Sequence, residues 1–355
     1  MSEFQKPRLL SGDMPTGRLH LGHWVGSVEN RVSLQDEYEC YFLIANTHAF
    51  TTNVLTPELI HQNTLEIVLD YLAVGVNPEK STIFIESEVP AIFELMVYFS
   101  MFISFPRLMR NPTIKDEIRD KKLRENHSVG FLLYPIMQVA DILSVRAEVV
   151  PVGADQIPHI ELARETAKRF NQLYRRMNAH IGDKDHHENR LFPIPKAKIG
   201  RVRRLVGIGK PGKNGQLLKM SKSLNNAIFL SDSTDEIRRK IMNMYTDPNR
   251  LRTTDPGTIE NNPLWIFHDV FNPNKSWIEK AKRLYCEGKI GDVECKEYLV
   301  EILSEFLAPL QKRRTEYAAD RTYLYKILHR GTERVNAIAE ETLRLVKKTI
   351  CQNYF

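Results

Sequence analysis

Arg8-Leu9-Leu10-Ser11-Gly12 and, just after it, Pro15-Thr16-Gly17-Arg18-Leu19-His20-Leu21-Gly22-His23 decide how this chain is read. The first run is a short strand that ends at a glycine. The second opens a helical stretch over about Leu21–Gln35. A helix N-terminus offers free backbone N–H groups and a partial positive charge, which makes it a natural phosphate site. Gly22 has no side chain, so a nucleotide can come close to the backbone. His20 and His23 set two imidazoles on one side of the helix start, where both can donate to phosphate oxygens. A turn and a helix with two solvated histidines is the plainer reading of H-x-G-H alone; the full nine-residue string favours the phosphate site.

Further along, strand-like and helix-like segments alternate. Cys40-Tyr41-Phe42-Leu43-Ile44-Ala45 is a continuous apolar run, the pattern of a central parallel strand. Pro57 opens a helix reaching about Leu72, where a proline in the first turn is well placed. Ser81–Ile85 and Ala147–Gly153 read as a third and a fourth strand. Strands separated by helices predict an α/β domain built on a parallel sheet. Asp183–Pro195 is polar and reads as a loop; the pair His186-His187 within it reads as solvated rather than metal-binding. Gly207, Gly209, Pro211, Gly212 and Gly215 predict a mobile surface loop. Beyond Asp232 the pattern turns helical, and Val335, Ile338, Ala339, Leu343 and Val346 fall on one face of the last helix.

Two more constellations carry chemistry. Lys219-Met220-Ser221-Lys222-Ser223 follows the glycine-rich loop, so its lysines can close over a triphosphate as mobile point charges. A basic solvated loop is the plainer alternative. In Val152-Gly153-Ala154-Asp155-Gln156 a strand ends, a glycine turns, and an acid faces the carboxyl end of the sheet, where open α/β sheets bind ligands. Asp155 can bind a ribose hydroxyl, or serve only as a helix N-cap. Gln156 can bind an amino group.

Composition sets outer limits. The chain has 355 residues, 42% hydrophobic, enough for a large core and two domains. No apolar stretch approaches the roughly 18–20 residues that span a bilayer, and Met1–Arg8 has no apolar signal region, so a cytoplasmic protein is expected. The net charge of +6 favours a polyanionic partner. Cys40, Cys286, Cys295 and Cys351 form no C-x-x-C pair, which argues against a thiolate metal site.

Together these strings resemble class I aminoacyl-tRNA synthetases. Pro15–His23 matches their first signature and Lys219–Ser223 their second. The tyrosyl and tryptophanyl subgroup is nearest, with the tryptophanyl enzymes the better match. The likeness extends through Asn30–Gln35, Thr47–Thr51, Leu133–Pro135, Ala140–Leu143, Val152–Arg164 and Ala339–Thr342. It implies a Rossmann-like parallel-sheet catalytic domain over residues 1–230 and a smaller all-helical C-terminal domain. Within the latter, 231–330 would bind the tRNA anticodon arm, and a helix over 331–355 would pack back toward the catalytic domain. A homodimer is implied as well.

The resemblance also assigns residues. In the family the aspartate at the position of Asp141 accepts the indole N–H of tryptophan. Indole has one donor and no acceptor, so a dedicated acceptor at the end of an apolar slot discriminates well. Tyr134, His48 and Gln156 match amino-acid pocket positions, and Gly12 fits a close approach there. Gln138 stands where many tryptophanyl enzymes carry methionine, and Gln138-x-x-Asp141 also resembles tyrosyl enzymes, which can bind a phenol this way. Against tyrosine, Arg8–Gly12 lacks the tyrosine those enzymes place beside the substrate hydroxyl. Met14, Pro15, Thr16, Gly22, His23, Gly153, Ala154, Asp155 and Val202 fall at ATP-contacting positions, with Lys219, Met220, Ser221, Lys222 and Ser223 of the second signature; Lys115 is a further phosphate candidate. The implied reaction joins L-tryptophan to ATP, carrying Mg²⁺, and passes the aminoacyl group to tRNA. His20 and His23 would serve the α-phosphate, and Lys219 and Lys222 the leaving pyrophosphate. No residue is assigned to a metal. A tyrosine-specific enzyme, a small-molecule nucleotidyltransferase and a paralogue that binds RNA or a nucleotide without aminoacylating are the other readings; the second should lack the Lys219–Ser223 loop and the helical tail.

Overall fold

The computed structural model describes residues 6–120, 128–178, 190–202 and 204–354. Five strands, β1 (Arg8–Asp13), β2 (Glu39–Ile44), β3 (Ser81–Ile85), β4 (Val149–Val152) and β5 (Lys196–Ile199), form one parallel sheet in the order β3-β2-β1-β4-β5. Strand pleating splits neighbouring residues between two cores. Leu9, Phe42, Ile44 and Ile83 enter one apolar cluster; Leu10, Tyr41, Leu43 and Phe84 enter the other. Both faces are covered, which explains why these strands read as unbroken apolar runs. The chain winds outward from β1 in both directions, so the switch point lies between β1 and β4.

Between β1 and β2 run α1 (Leu21–His23), a π-helical turn over Trp24–Val28 and α2 (Glu29–Ser33). The helix expected over Leu21–Gln35 is therefore interrupted. The wider turn leaves Gly26 O to accept Gly200 N at 3.1 Å, tying the helix to the end of β5. α3 (Asn46–Phe50) and α4 (Pro57–Val74) lead to β3. α5 (Pro90–Ser100), α6 (Phe105–Met109), α7 (Pro112–Asp120) and α8 (Val129–Ser144) lead to β4, and α9 (Ile157–Leu173) and α10 (Arg175–Asn178) follow it. β5 was invisible as a strand: Lys196-Ala197-Lys198-Ile199 has no apolar run, and only pairing with β4 extends it.

The remainder is helical: α11 (Thr234–Met242), α12 (Pro263–Phe271), α13 (Lys275–Cys286), α14 (Asp292–Ala318) and α15 (Arg321–Thr349). α11 carries Asp235 and Glu236 in its first turn and Arg239 and Lys240 in its last, which suits the helix dipole. One apolar cluster runs from Leu9, Phe42 and Ile83 of the sheet through Ile237 of α11 to Leu299 and Leu303 of α14. α15 lies along β3, where Thr332 Oγ1 accepts Ile85 N at 3.2 Å. On its inner face Val335, Ala339 and Val346 are fully buried, with Ile338 and Leu343 packed against the same cluster. Among the described residues no helix is long and apolar enough to cross a membrane.

Candidate active site

The two signatures meet at the carboxyl end of β1. Leu21 N donates to Ile228 O and Leu230 N to Leu19 O, both at 2.9 Å, so the segment after the second signature pairs with the first. Lys222 Nζ donates to Gly17 O at 2.8 Å and reaches Thr16 Oγ1 at 3.4 Å. Burial lowers the pKa of this ammonium. Met220 is buried in the sheet core, against which Val202 also packs. Lys219 and Ser223 are exposed, and Ser221 Oγ lies 2.9 Å from Ser223 Oγ.

The glycine-rich loop is anchored at its base by backbone and side-chain hydrogen bonds. Gly207 N donates to Leu218 O and Ile208 N to Asn226 O. The Asn226 side chain accepts Ser221 N at 2.7 Å and donates to Lys219 O at 3.0 Å. Gly207 lies flat against that side chain, and Gly215 takes a left-handed turn in open space. Asn226, which carries no motif signal, thus clamps the base of the second signature.

His20 caps α1 and is 7% exposed; His23 is more open. Their rings stack with centroids 3.7 Å apart. Burial, then the neighbouring His23 and Lys222, push the His20 pKa down to about 2. Burial is also the largest influence on His23; with Lys222 and Arg31 it outweighs the opposing pull of Asp13 and brings the pKa to about 4. Both rings are neutral at pH 7. His23 Nδ1 accepts His20 N at 3.0 Å, so its proton sits on Nε2 as a donor. The space beside Gly22 is filled by the His20 ring, 3.0 Å from where a Cβ would stand, so Gly22 first serves the protein's own packing. Gly12 is similar: a Cβ there would come within 2.5 Å of Leu43 O on β2, which makes it a strand-packing glycine.

Met14 and Thr16 are exposed on the loop after β1 and Pro15 is buried. Across the switch point, Gly153 caps a short turn over Ala154–Gln156. Asp155 is exposed and caps no helix; Gln156 is the residue before α9. Asp155 Oδ2 accepts Gln156 Nε2 at 3.3 Å, and its carbonyl accepts Thr113 Oγ1 at 3.1 Å. That second bond brings the first turn of α7 beside Asp155, with Lys115 exposed two residues after Thr113.

Tyr134, Gln138 and Asp141 occupy one face of α8. Asp141 is 1% exposed; its Oδ2 lies 2.8 Å from His48 Nε2, and its Oδ1 has no hydrogen-bond partner among the described residues. Burial raises its pKa, with His48 opposing. Gln138 Nε2 turns instead to Gln156 Oε1 at 3.5 Å. Tyr134 OH meets His159 Nε2 at 3.4 Å, and Asn111 Nδ2 meets His159 Nδ1 at 3.3 Å. Burial, then His48, lowers the His159 pKa to about 4. His48, Glu86 and Asp141 have side-chain ligand atoms within 4.8 Å of one another, a grouping that sequence spacing could not show. His186 and His187 lie outside the described residues.

Beneath the site sit two buried ion clusters that sequence reading missed. Arg31, 2% exposed, donates to Asp13 Oδ2 at 2.6 Å, Tyr71 OH at 2.9 Å, Ser27 Oγ at 3.0 Å and Gly12 O at 3.3 Å. Asp70 of α4 accepts Leu19 N at 2.7 Å on one oxygen and Arg314 Nε of α14 at 2.9 Å on the other. The residue before His20 is thereby tied to the C-terminal helices. An acid in the apolar stretch Leu69-Asp70-Tyr71-Leu72 was the available signal.

Comparison with known proteins agrees with this geometry. Residues 3–308 match the family model described as tRNA synthetases class I (W and Y). A tryptophan–tRNA ligase of Chlamydia caviae is 43% identical over 98% of this chain and 96% of its own. One from Borreliella burgdorferi is 46% identical over 96% of this chain and 93% of its own. The tryptophanyl-tRNA synthetase of Campylobacter jejuni, solved with ADP and tryptophan, superposes with a TM-score of 0.79 at 28% identity, covering 97% of this chain and 99% of that one. With both signatures joined at the end of β1 and the family match spanning most of its length, this chain belongs to the class I tRNA synthetases of the tryptophan and tyrosine group.

Proposed function

We infer that this chain is a tryptophan–tRNA ligase, activating L-tryptophan with ATP and transferring it to tRNA. Within the chain, the observation that carries the choice of amino acid is Asp141 Oδ1, a buried acceptor with its sister oxygen held by His48. A ring with one N–H donor and no acceptor completes that arrangement. The carboxylate of the amino acid is already a nucleophile at neutral pH, so attack on the ATP α-phosphorus needs no base. Catalysis rests on placement and on stabilising phosphate charge. In this reading His23 Nε2–H, with His20 behind it, donates at the α-phosphate. Lys222 and Lys219 neutralise the departing pyrophosphate. Met14–Thr16, Gly153–Asp155 and Val202 cradle the nucleotide. ATP enters as its Mg²⁺ complex.

Amino-acid-dependent pyrophosphate exchange tests this. Tryptophan should support exchange and tyrosine far less; equal rates with tyrosine overturn the specificity. Asp141→Asn should lower kcat/KM for tryptophan by about 2–4 kcal/mol, leaving the KM for ATP unchanged. His48 Nε2–H would take the amide oxygen, and the amide N–H₂ would then face the indole N–H, donor against donor. Unchanged kcat/KM removes Asp141 from the pocket.

Residues 231–330 would receive the tRNA anticodon arm, while 1–230 carry the chemistry and 331–355 brace it. Arg239 on α11 and Lys275, Lys280 and Arg283 on α13 are exposed. A cytoplasmic homodimer is the working form; Phe50, Val54, Leu55 and Leu59 are exposed together on the α3–α4 segment, suited to a partner surface. One sedimentation series, with and without tRNA at rising salt, reads both. A mass of one chain at micromolar concentration rejects the dimer, and salt-insensitive tRNA binding rejects the phosphate-contacting face.

A further inference from the structure

Glu86 opens the turn after β3 and is fully buried. Its Oε2 accepts Thr47 N at 3.0 Å and His48 N at 3.2 Å, the first turn of α3. Its Oε1 has no hydrogen-bond partner among the described residues and stands 3.5 Å from His48 Nε2. The same Nε2 is 2.8 Å from Asp141 Oδ2. Two buried carboxyl groups from two other segments therefore converge on one imidazole. A carboxylate buried this deeply is costly unless its oxygens are engaged. Burial is the main cause that raises the Glu86 pKa to about 7, His48 opposing and Asp141 adding to it.

We infer that Glu86 is a positioning residue for amino-acid recognition: it holds the backbone of Thr47 and His48 so that His48 Nε2–H occupies Asp141 Oδ2 and leaves Oδ1 for the ring N–H of the amino acid. This rests on the reading of Asp141 given above. The arrangement matters because a dry carboxyl takes up a proton readily. A proton on Oδ1 would present a donor to a donor. A fixed imidazole donating to Oδ2 favours the anion and keeps Oδ1 an acceptor. Without Glu86 the first turn of α3 loses the acceptor for two N–H groups, and the His48 ring is no longer aimed.

The experiment compares tryptophan with its benzothiophene analogue, in which sulfur replaces the ring N–H, by pyrophosphate exchange in the intact protein. The readout is the ratio of the two kcat/KM values, from which the fraction of active enzyme cancels. Glu86→Ala should lower that ratio about tenfold or more, through a raised KM for tryptophan, with kcat and the KM for ATP nearly unchanged. Glu86→Gln keeps an oxygen for the two N–H groups and should hold the ratio within about threefold of the wild type. Should the alanine protein be insoluble, His48→Phe keeps the ring volume and removes Nε2, and it should lower the ratio in the same direction. Equal losses for both amino acids in Glu86→Ala or His48→Phe overturn the inference, since a scaffold defect acts on both alike. A glutamine variant as impaired as alanine also overturns it. Asp141→Asn separates the two levels: if it leaves the ratio intact, the Asp141 reading falls, whereas a collapse in Asp141→Asn with none in Glu86→Ala rejects Glu86 alone.

Discussion

Lys222→Ala is expected to slow adenylate formation by about 3–4 kcal/mol in the barrier, a hundred- to a thousandfold, with tryptophan affinity nearly intact. In the structure Lys222 Nζ rests on Gly17 O and Thr16 Oγ1 of the first signature, so the ammonium already stands at the loop that leads to His20 and His23. It is also partly desolvated, which lowers its pKa and strengthens any charge contact it makes. An interaction made mainly as charge develops on the leaving pyrophosphate lowers kcat when lost, rather than raising KM. If Lys222 only attracted ATP from a distance, the variant would show a raised KM for ATP and recover at saturation. Pre-steady-state adenylate formation across ATP concentrations distinguishes the two, and full recovery at high ATP refutes the transition-state role.

Arg31→Met should destabilise the fold by about 3–5 kcal/mol, the usual cost of removing one partner of a buried ion pair. Methionine approximates the stem but leaves Asp13, whose exposed fraction is 14%, with Tyr71 OH alone. At about 2.1 cal/mol/K of unfolding entropy per residue, that loss lowers Tm by about 4–7 °C. The acid limb provides a second check. Burial by itself would raise the Asp13 pKa; Arg31, His23 and Tyr71 together outweigh it and hold it at about 2, below its ordinary 3.8. A depressed carboxyl contributes stability in full above its unfolded pKa and loses it as pH falls through the folded value. Asp13 thus accounts for about 2 kcal/mol that disappears between roughly pH 4 and pH 2 in the wild type and should be largely missing in the variant. Denaturant melts at pH 7 and along that limb measure both effects; an unchanged midpoint at pH 7 contradicts the assigned role.

Most of what could be read in advance was local. The apolar runs at Cys40–Ala45 and Ser81–Ile85 lie within one residue of β2 and β3, because a strand buried on both faces leaves a continuous signature. Pro57 marks the first turn of α4, and the face Val335–Val346 is the buried side of α15. The His20-x-Gly22-His23 and Lys219–Ser223 strings carry the family resemblance, since each is contiguous within one turn or loop.

The sequence by itself determined the α/β class, the family and the parts of the site that sit together along the chain. Tertiary structure alone decided which distant charged groups come together. β5 became a strand only against β4, because an edge strand carrying Lys196 and Lys198 has no apolar period. A Cβ at Gly12 would meet Leu43 and one at Gly22 the His20 ring, contacts that no spacing in the sequence shows. His48, Glu86 and Asp141 come from three segments, and only folding brings their side chains together out of water. The same holds for Arg31 with Asp13, and for Arg314 with Asp70. Composition records how many charges a chain carries. Which of them are desolvated, and therefore able to shift one another's protonation, depends on packing.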